Sequence, residues 1–188
     1  KMNNWQHVPV NIGGRLVGAD HPPFIIAELS GNHNQSLDTA RAMVKAAADS
    51  GAHAIKLQTY TADSMTLDVN ERGFVIEEPD SLWHGENLYR LYQKAATPYS
   101  WHKELFEYAN ALGMLAFSSP FDEAAVDFLD GLNVPCFKIA SFELTDIPLI
   151  RKAASTKKPL IISTGMASLS EIELAVTTAK HAGCDDII

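Results

Sequence analysis

Cysteine is scarce in this chain of 188 residues: Cys136 and Cys184 lie far apart in apolar runs, with no Cys-x-x-Cys spacing. This excludes a disulfide framework or a cysteine zinc site and predicts two buried structural thiols. Basic residues are in the minority, 15 Lys and Arg against 23 Asp and Glu, for a formal net charge of -8 at pH 7. Without a basic patch to offset phosphate charge, neither nucleic acid nor an anionic membrane is an expected partner, although a small anion can still bind locally. No run of 18 apolar residues is present, and the polar start from Lys1 to Asn11 lacks the apolar core of a signal peptide, so the cytoplasm is the default location. Low-complexity tracts and proline-rich linkers are absent too, which argues against several loosely joined parts.

What remains is a chain 46% hydrophobic and 20% charged, ordinary for a globular protein. At this length folding buries roughly 70% of the surface of the unfolded chain, so no covalent staple is required. Val10 to Gly18 forms two brief alternating runs around Gly13-Gly14, the pattern of a hairpin. From Phe24 onward short apolar runs alternate with helically spaced segments, the pattern of a parallel α/β protein. The expected strands are Phe24–Ala27, Ala54–Thr59, Met114–Ser118, Cys136–Ala140, Leu160–Ser163 and Asp185–Ile188. Between them, Ser36 caps a helix with an apolar stripe at Leu37, Ala40, Val44 and Ala47 that stops at Gly51. Thr97 before Pro98 predicts a second start, with Trp101, Leu105 and Ala109 on its buried side, and Ser168 with Glu171 forms a capping box. The expected division is a capping hairpin at 1–22 and a barrel portion at 23–188. One connection, Tyr60 to Ala96, is far longer than usual and aromatic in its latter half, which suits a substrate lid.

Several strands are too polar for a sheet covered by helices. Side chains alternate along a strand, so if Ile55 and Leu57 pack on helices, Lys56 and Gln58 turn to the opposite face, the interior of a closed barrel. By the same reasoning Phe137 and Ile139 face out and Lys138 faces in. Two inward lysines must pair with carboxylates, for which Glu28 and Glu143 are the candidates, or bind an anion. Glu28, Lys56, Gln58, Ser118, Ser119, Lys138, Ser141, Glu143, Ser163 and Thr164 all fall at strand C-termini, the active-site end of such folds, and suit a small, negatively charged ligand. Other candidates carry less. His33 is either an acid or base at the rim or a loop residue bonded to backbone. His7, His21, His53, His84, His102 and His181 have no metal-ligand spacing and read as surface or core histidines. Trp101, Tyr89 and Tyr92 read as packing. Ser163-Thr-Gly-Met resembles a phosphate-cradling turn but lacks the Walker spacing.

Five ordered motifs, Ile26-Ala-Glu-Leu-Ser-Gly-Asn-His, Ile55-Lys-Leu-Gln-Thr-Tyr, Phe117-Ser-Ser-Pro-Phe, Phe137-Lys-Ile-Ala-Ser-Phe-Glu and Ile162-Ser-Thr-Gly-Met, together resemble the sialic acid synthase family. Tyr60-Thr-Ala-Asp-Ser-Met-Thr-Leu and Leu82-Trp-His-Gly-Glu-Asn-Leu-Tyr-Arg-Leu-Tyr are most similar to its pseudaminate-forming branch. The resemblance implies a (β/α)8 TIM barrel that condenses phosphoenolpyruvate with an open-chain N-acylated amino sugar, with a divalent metal, usually manganese, and with release of phosphate. It further implies that Lys56, Ser119, Lys138, Ser141 and Ser163 bind phosphoenolpyruvate, that Gln58 and Glu143 bind the sugar, and that Glu28 acts at the reacting carbons. Such a barrel takes about 250 residues. The sequence covers about five βα units, so the metal-binding histidines and the antifreeze-like domain of the family are expected beyond residue 188. A homodimer is expected of the full-length form. N-acetylneuraminate or legionaminate formation, Schiff-base chemistry at Lys138 or Lys56, and a non-catalytic unit retaining an anion pocket are the alternatives.

Overall fold

The computed structural model describes residues 8–188. Residues 1–7 of the expected 1–22 unit, His7 included, lie outside the described residues. The hairpin is present as β1 (Val10–Ile12) and β2 (Arg15–Val17), with Val10 opposite Val17 and Ile12 opposite Arg15. Gly13 and Gly14 take φ of +56° and +91°, the two successive left-handed residues that let a two-residue turn follow the strand twist. The hairpin is pressed against the start of the fifth strand of the chain: Ile12 is fully buried, and a Cβ on Gly13 would lie 2.7 Å from Leu115 Cδ2.

Five parallel strands follow, β3 (Ile26–Glu28), β4 (Ala54–Thr59), β5 (Leu115–Pro120), β6 (Phe137–Ile139) and β7 (Leu160–Ile162), each paired to the next in chain order. Parallel neighbours in sequence order require one helical crossover apiece, all of the same hand, which stacks the helices on one face and curls the sheet. The result is a half-barrel wrapped by α1 (Leu37–Asp49), α4 (Tyr99–Ala111), α5 (Glu123–Gly131), α6 (Ile147–Ser155) and α7 (Leu169–His181). Of the expected strand Asp185–Ile188, a parallel bridge pairs Ile187 with Leu160, and Ile162 donates to the Ile188 carbonyl at 2.8 Å. The long connection folds on itself through α2 (Ala62–Met65), an antiparallel bridge between Val75 and Asn87, and α3 (Leu88–Ala95).

Helix starts follow the expected chemistry with one exception. Ser36 accepts from Thr39 N–H at 3.2 Å, Ser168 and Glu171 form the reciprocal capping box, and Asp122 and Asp146 cap α5 and α6. At α4 the cap position is Pro98, not Thr97, and it provides no side-chain hydrogen bond. The Thr97 hydroxyl is instead 3.0 Å from His33 Nε2, a tertiary bond that takes it out of helix capping. The core lies between strands and helices, where Ile55, Leu57, Phe137, Ile139, Leu105, Leu129 and Ile150 are fully buried. Both cysteines are buried and free. No described helix is long and apolar enough to cross a membrane.

Candidate active site

Register decides which side chains meet at the C-terminal ends of the strands. Residues paired across a parallel ladder point to the same face. Glu28 pairs with Lys56, and Gln58 with Ser119. Ser118 pairs with Phe137 on the helix-facing side, which turns Ser119 and Lys138 inward. Glu28, Lys56, Gln58, Ser119 and Lys138 are therefore brought to one concave face. Ser118 is not: it is fully buried under α4, with its hydroxyl 2.6 Å from Thr59 Oγ1. The expectation that it joins the polar cluster fails because β5 alternates and Ser119 takes the inward place.

Within the cluster Lys56 is ion-paired with Glu28 and donates to Ser119 Oγ at 3.5 Å. Glu28 Oε1 also accepts from the N–H and the hydroxyl of Ser30, both at 3.3 Å. Among the described residues Lys138 has no such carboxylate clamp, and its ammonium donates to the Ile139 carbonyl at 2.8 Å. Burial first, and then the charge of Lys56, bring its pKa down to about 8 against the opposing pull of Glu28 and Glu143. Glu143 sits in a 3-10 turn, Ser141–Glu143, directly after β6. Burial, assisted by Asp146, holds its carboxyl above the usual range despite its own backbone N–H and Lys138, and its Oε2 is buried without a hydrogen-bond partner among the described residues.

The turn after β7 closes on this group. Ser163 N–H donates to the same Ile139 carbonyl at 3.1 Å, and a Cβ on Gly165 would lie 3.0 Å from Ser141 Oγ. A side chain there would push the Ser141 hydroxyl aside by a few tenths of an ångström, so glycine lets the turns after β6 and β7 approach closely. Lys56, Lys138 and Ser119 thus put two ammonium groups and a hydroxyl on one concave face, a set chemically suited to a small dianion.

Two histidines prove structural. His33 is fully buried. Its Nδ1 accepts from Gln35 N–H at 3.1 Å, so Nε2 carries the proton and donates to Thr97 Oγ1. Its ring meets Trp101 edge-on, and burial lowers its pKa. Of the two readings for His33, the geometry is that of the loop residue. His102 donates from Nδ1 to the Pro98 carbonyl and accepts at Nε2 from Thr59, whose oxygen accepts from Ser118. Burial pushes its pKa down to about 4. This relay pins the ends of β4 and β5 to α4, from behind the residues that face the hollow.

Beside the cluster a cleft of about 610 Å³ opens between the β3–α1 loop and the long connection, lined by Gly31, Asn32, Asn34, Tyr60, Trp83, His84, Tyr92 and their neighbours. Tyr60 directly follows β4, two residues past Gln58, and meets Tyr92 and Phe121 edge-on. Tyr92 thus packs, as expected, and also forms part of a wall. Sequence reasoning named none of these as site residues, although the aromatic content of the connection was a signal. Among the described residues no group of three His, Cys, Asp or Glu side chains could hold a metal ion. The divalent cation implied by the resemblance therefore finds no ligand set here, and none of the steps proposed below uses it.

Comparison with known proteins settles the lineage. The NeuB family profile matches residues 43–188. The chain belongs to the NeuB family. Among NeuB relatives it is 50% identical to the pseudaminic acid synthase of Helicobacter pylori, over 88% of this chain and 48% of that protein. It is 48% identical to the pseudaminic acid synthase of Campylobacter jejuni strain 81-176, over 90% of this chain and 49% of that protein. The crystal structure of the N-acetylneuraminic acid synthetase of Leptospira borgpetersenii, in complex with citrate, superposes with a TM-score of 0.83 at 30% identity. It covers 96% of this chain and 57% of that one. The chain spans about half the length of the curated relatives it matches.

Proposed function

We propose that this NeuB-family chain carries the phosphoenolpyruvate-binding half of a pseudaminic acid synthase. In this reading it condenses phosphoenolpyruvate with open-chain 2,4-diacetamido-2,4,6-trideoxy-altrose to a nine-carbon 2-keto sugar acid, releasing phosphate. The observation that carries the reading is the pair Lys56 and Lys138 on one concave face, flanked by Ser119, Ser141 and Ser163. Lys138 is the ammonium without a carboxylate clamp, so an incoming dianion supplies the partner it lacks. The similarity to pseudaminic acid synthases supports the sugar assignment.

In the proposed reaction the π electrons of phosphoenolpyruvate form a bond from its C3 to the aldehyde carbon, and the aldehyde oxygen takes a proton. C2 gains positive charge, water adds there and gives up one proton, which balances the one taken by the aldehyde oxygen, and the C2–O bond to phosphate breaks as the remaining hydroxyl proton passes to the leaving phosphate, which leaves the ketone. Glu28, fixed by Lys56 and Ser30, faces the charge that develops at C2. Gln58 and Glu143 orient the sugar, with Oε2 of Glu143, buried without a partner among the described residues, placed to bond a sugar hydroxyl. Within the proposed 1–22 unit, the hairpin of β1 and β2 acts as a cap on the far end of a barrel portion at 23–188. The full-length protein is proposed to be a cytoplasmic homodimer. Phosphate release from phosphoenolpyruvate, measured with and without the diacetamido sugar and with and without manganese(II), tests the reading. Sugar-dependent release supports it, and release with no amino sugar at all overturns it. The lowered pKa of Lys138 also favours a second reading, a Schiff-base aldolase. Borohydride with pyruvate traps Lys138 covalently in that case and leaves the mass unchanged in the first.

A further inference from the structure

The cleft shares no lining residue with the cationic cluster, and its chemistry differs. Its charged wall residues, Glu86 and Lys94, are paired with one another and cancel. The remaining polar groups include the exposed carboxamides of Asn32 and Asn34, and His84, whose Nδ1 donates to the Glu78 carbonyl at 3.1 Å. Tyr60, Tyr92 and Trp83 provide aromatic surface, with Trp83 54% and Leu82 92% exposed at the rim. A space of about 610 Å³ lies within the range of small-ligand pockets, and walls of aromatics with a few exposed amides suit an uncharged ligand with apolar and amide parts.

The cleft is also preformed. Gln35 Nε2 donates to the carbonyls of Lys94 and Ala96, at 2.8 and 2.7 Å, and His33 donates to Thr97. A Cβ on Gly31 would lie 2.8 Å from the Ala95 carbonyl, so only glycine permits the β3–α1 loop to seat against the end of α3. Two walls from distant parts of the sequence are thereby locked together, and Tyr60 joins them to the strand that carries Lys56 and Gln58.

We propose that this cleft is the specificity pocket for the acylamino end of the acceptor sugar, with an acetamido methyl against Trp83 and Tyr92 and its amide bonded to Asn32 or Asn34. The inference rests on the sugar-acid synthase reading and adds to it the residues that choose among acylamino sugars. Saturation-transfer NMR on the full-length protein tests it with 2,4-diacetamido-2,4,6-trideoxy-altrose as the probe, alongside steady-state kinetics. Trp83→Ala, at an exposed rim position, is expected to raise the KM for this sugar about tenfold, with the phosphoenolpyruvate KM unchanged. Acetamido methyl signals present in the parent are expected to fall in Trp83→Ala and in Asn34→Ala. Unchanged sugar KM and unchanged methyl saturation in both variants overturn the pocket while parent turnover leaves the synthase reading standing. A parent that turns over no amino sugar fails that reading instead, and methyl saturation in the parent that is lost in the variants still supports the pocket.

Discussion

Where β4, β5 and β6 end, the polar side chains ride on hydrogen-bonded strands or on the turns directly after them, and their facing is set by register. The neighbouring cleft is made from connecting chain, and its shape depends on a few tertiary bonds between the β3–α1 loop and the end of α3. The first region is cationic and built on the sheet. The second is neutral and aromatic, held by Gln35, His33 and Gly31. Strand ends place charge accurately because alternation leaves each residue one of two directions. Long connections place shape, and can differ between proteins with the same sheet.

The largest expected effect separates the two regions outright. Lys56→Met removes one ammonium and leaves Glu28 unpaired, and phosphoenolpyruvate affinity by calorimetry is expected to fall about 100-fold or more. Acetamido methyl saturation from the sugar stays at the parent level. Equal loss of both ligands breaks the comparison.

The relay behind the strand ends comes next. His102→Leu leaves the Thr59 hydroxyl without its acceptor, at a cost of about 1–3 kcal/mol in urea unfolding. In the parent, His102 has a folded pKa of about 4 against 6.5 unfolded, so the unfolded chain binds more protons between these values. Stability thus rises with pH across that window, by roughly 3 kcal/mol from this group. The variant is expected to lose that part of the acid slope.

A pH series sharpens the cationic side. Lys138 has a folded pKa of about 8 against 10.5 unfolded, so without an anion the protein gains stability as pH rises between those values. Phosphoenolpyruvate affinity is expected to be level below about pH 8 and to weaken towards tenfold per pH unit above it, with the inflection absent in Lys138→Arg. A level profile to pH 10 in the parent removes Lys138 from the site.

The smallest effect is on the cleft. Gln35→Ala deletes two bonds to the end of α3, and about 1 kcal/mol of stability is expected to go. Amide exchange of the 88–97 segment is expected to accelerate, with exchange in β4 and β5 unchanged. Uniform acceleration in both regions shows that the latch is part of the core.

The sheet was legible because its signals are local. Alternation in Ala54–Thr59 and Phe137–Ile139 predicts which faces Lys56 and Lys138 take, and the structure has them there. Position at a strand C-terminus was not enough at Ser118, where the serine pair after Phe117 offers two hydroxyls and only register chooses. Thr97 misled for a related reason: a hydroxyl before proline reads as a helix cap until a buried histidine, distant in sequence, claims it. Strand ends shifted by a residue or two because a strand ends where its neighbour does.

By itself the sequence determined the hairpin at Gly13-Gly14, the order of parallel units, the capping of α1 and α7, and the presence of lysines where a covered sheet should be apolar. Those follow from backbone conformation, periodicity and desolvation, which act between near neighbours in the chain. Only tertiary structure decided that Lys56 is clamped by Glu28 while Lys138 is not, that Gly165 makes room for Ser141, and that the β3–α1 loop and α3 enclose a cleft. Each of these depends on contacts between segments far apart in sequence, where a tenth of a nanometre separates a hydrogen bond from none.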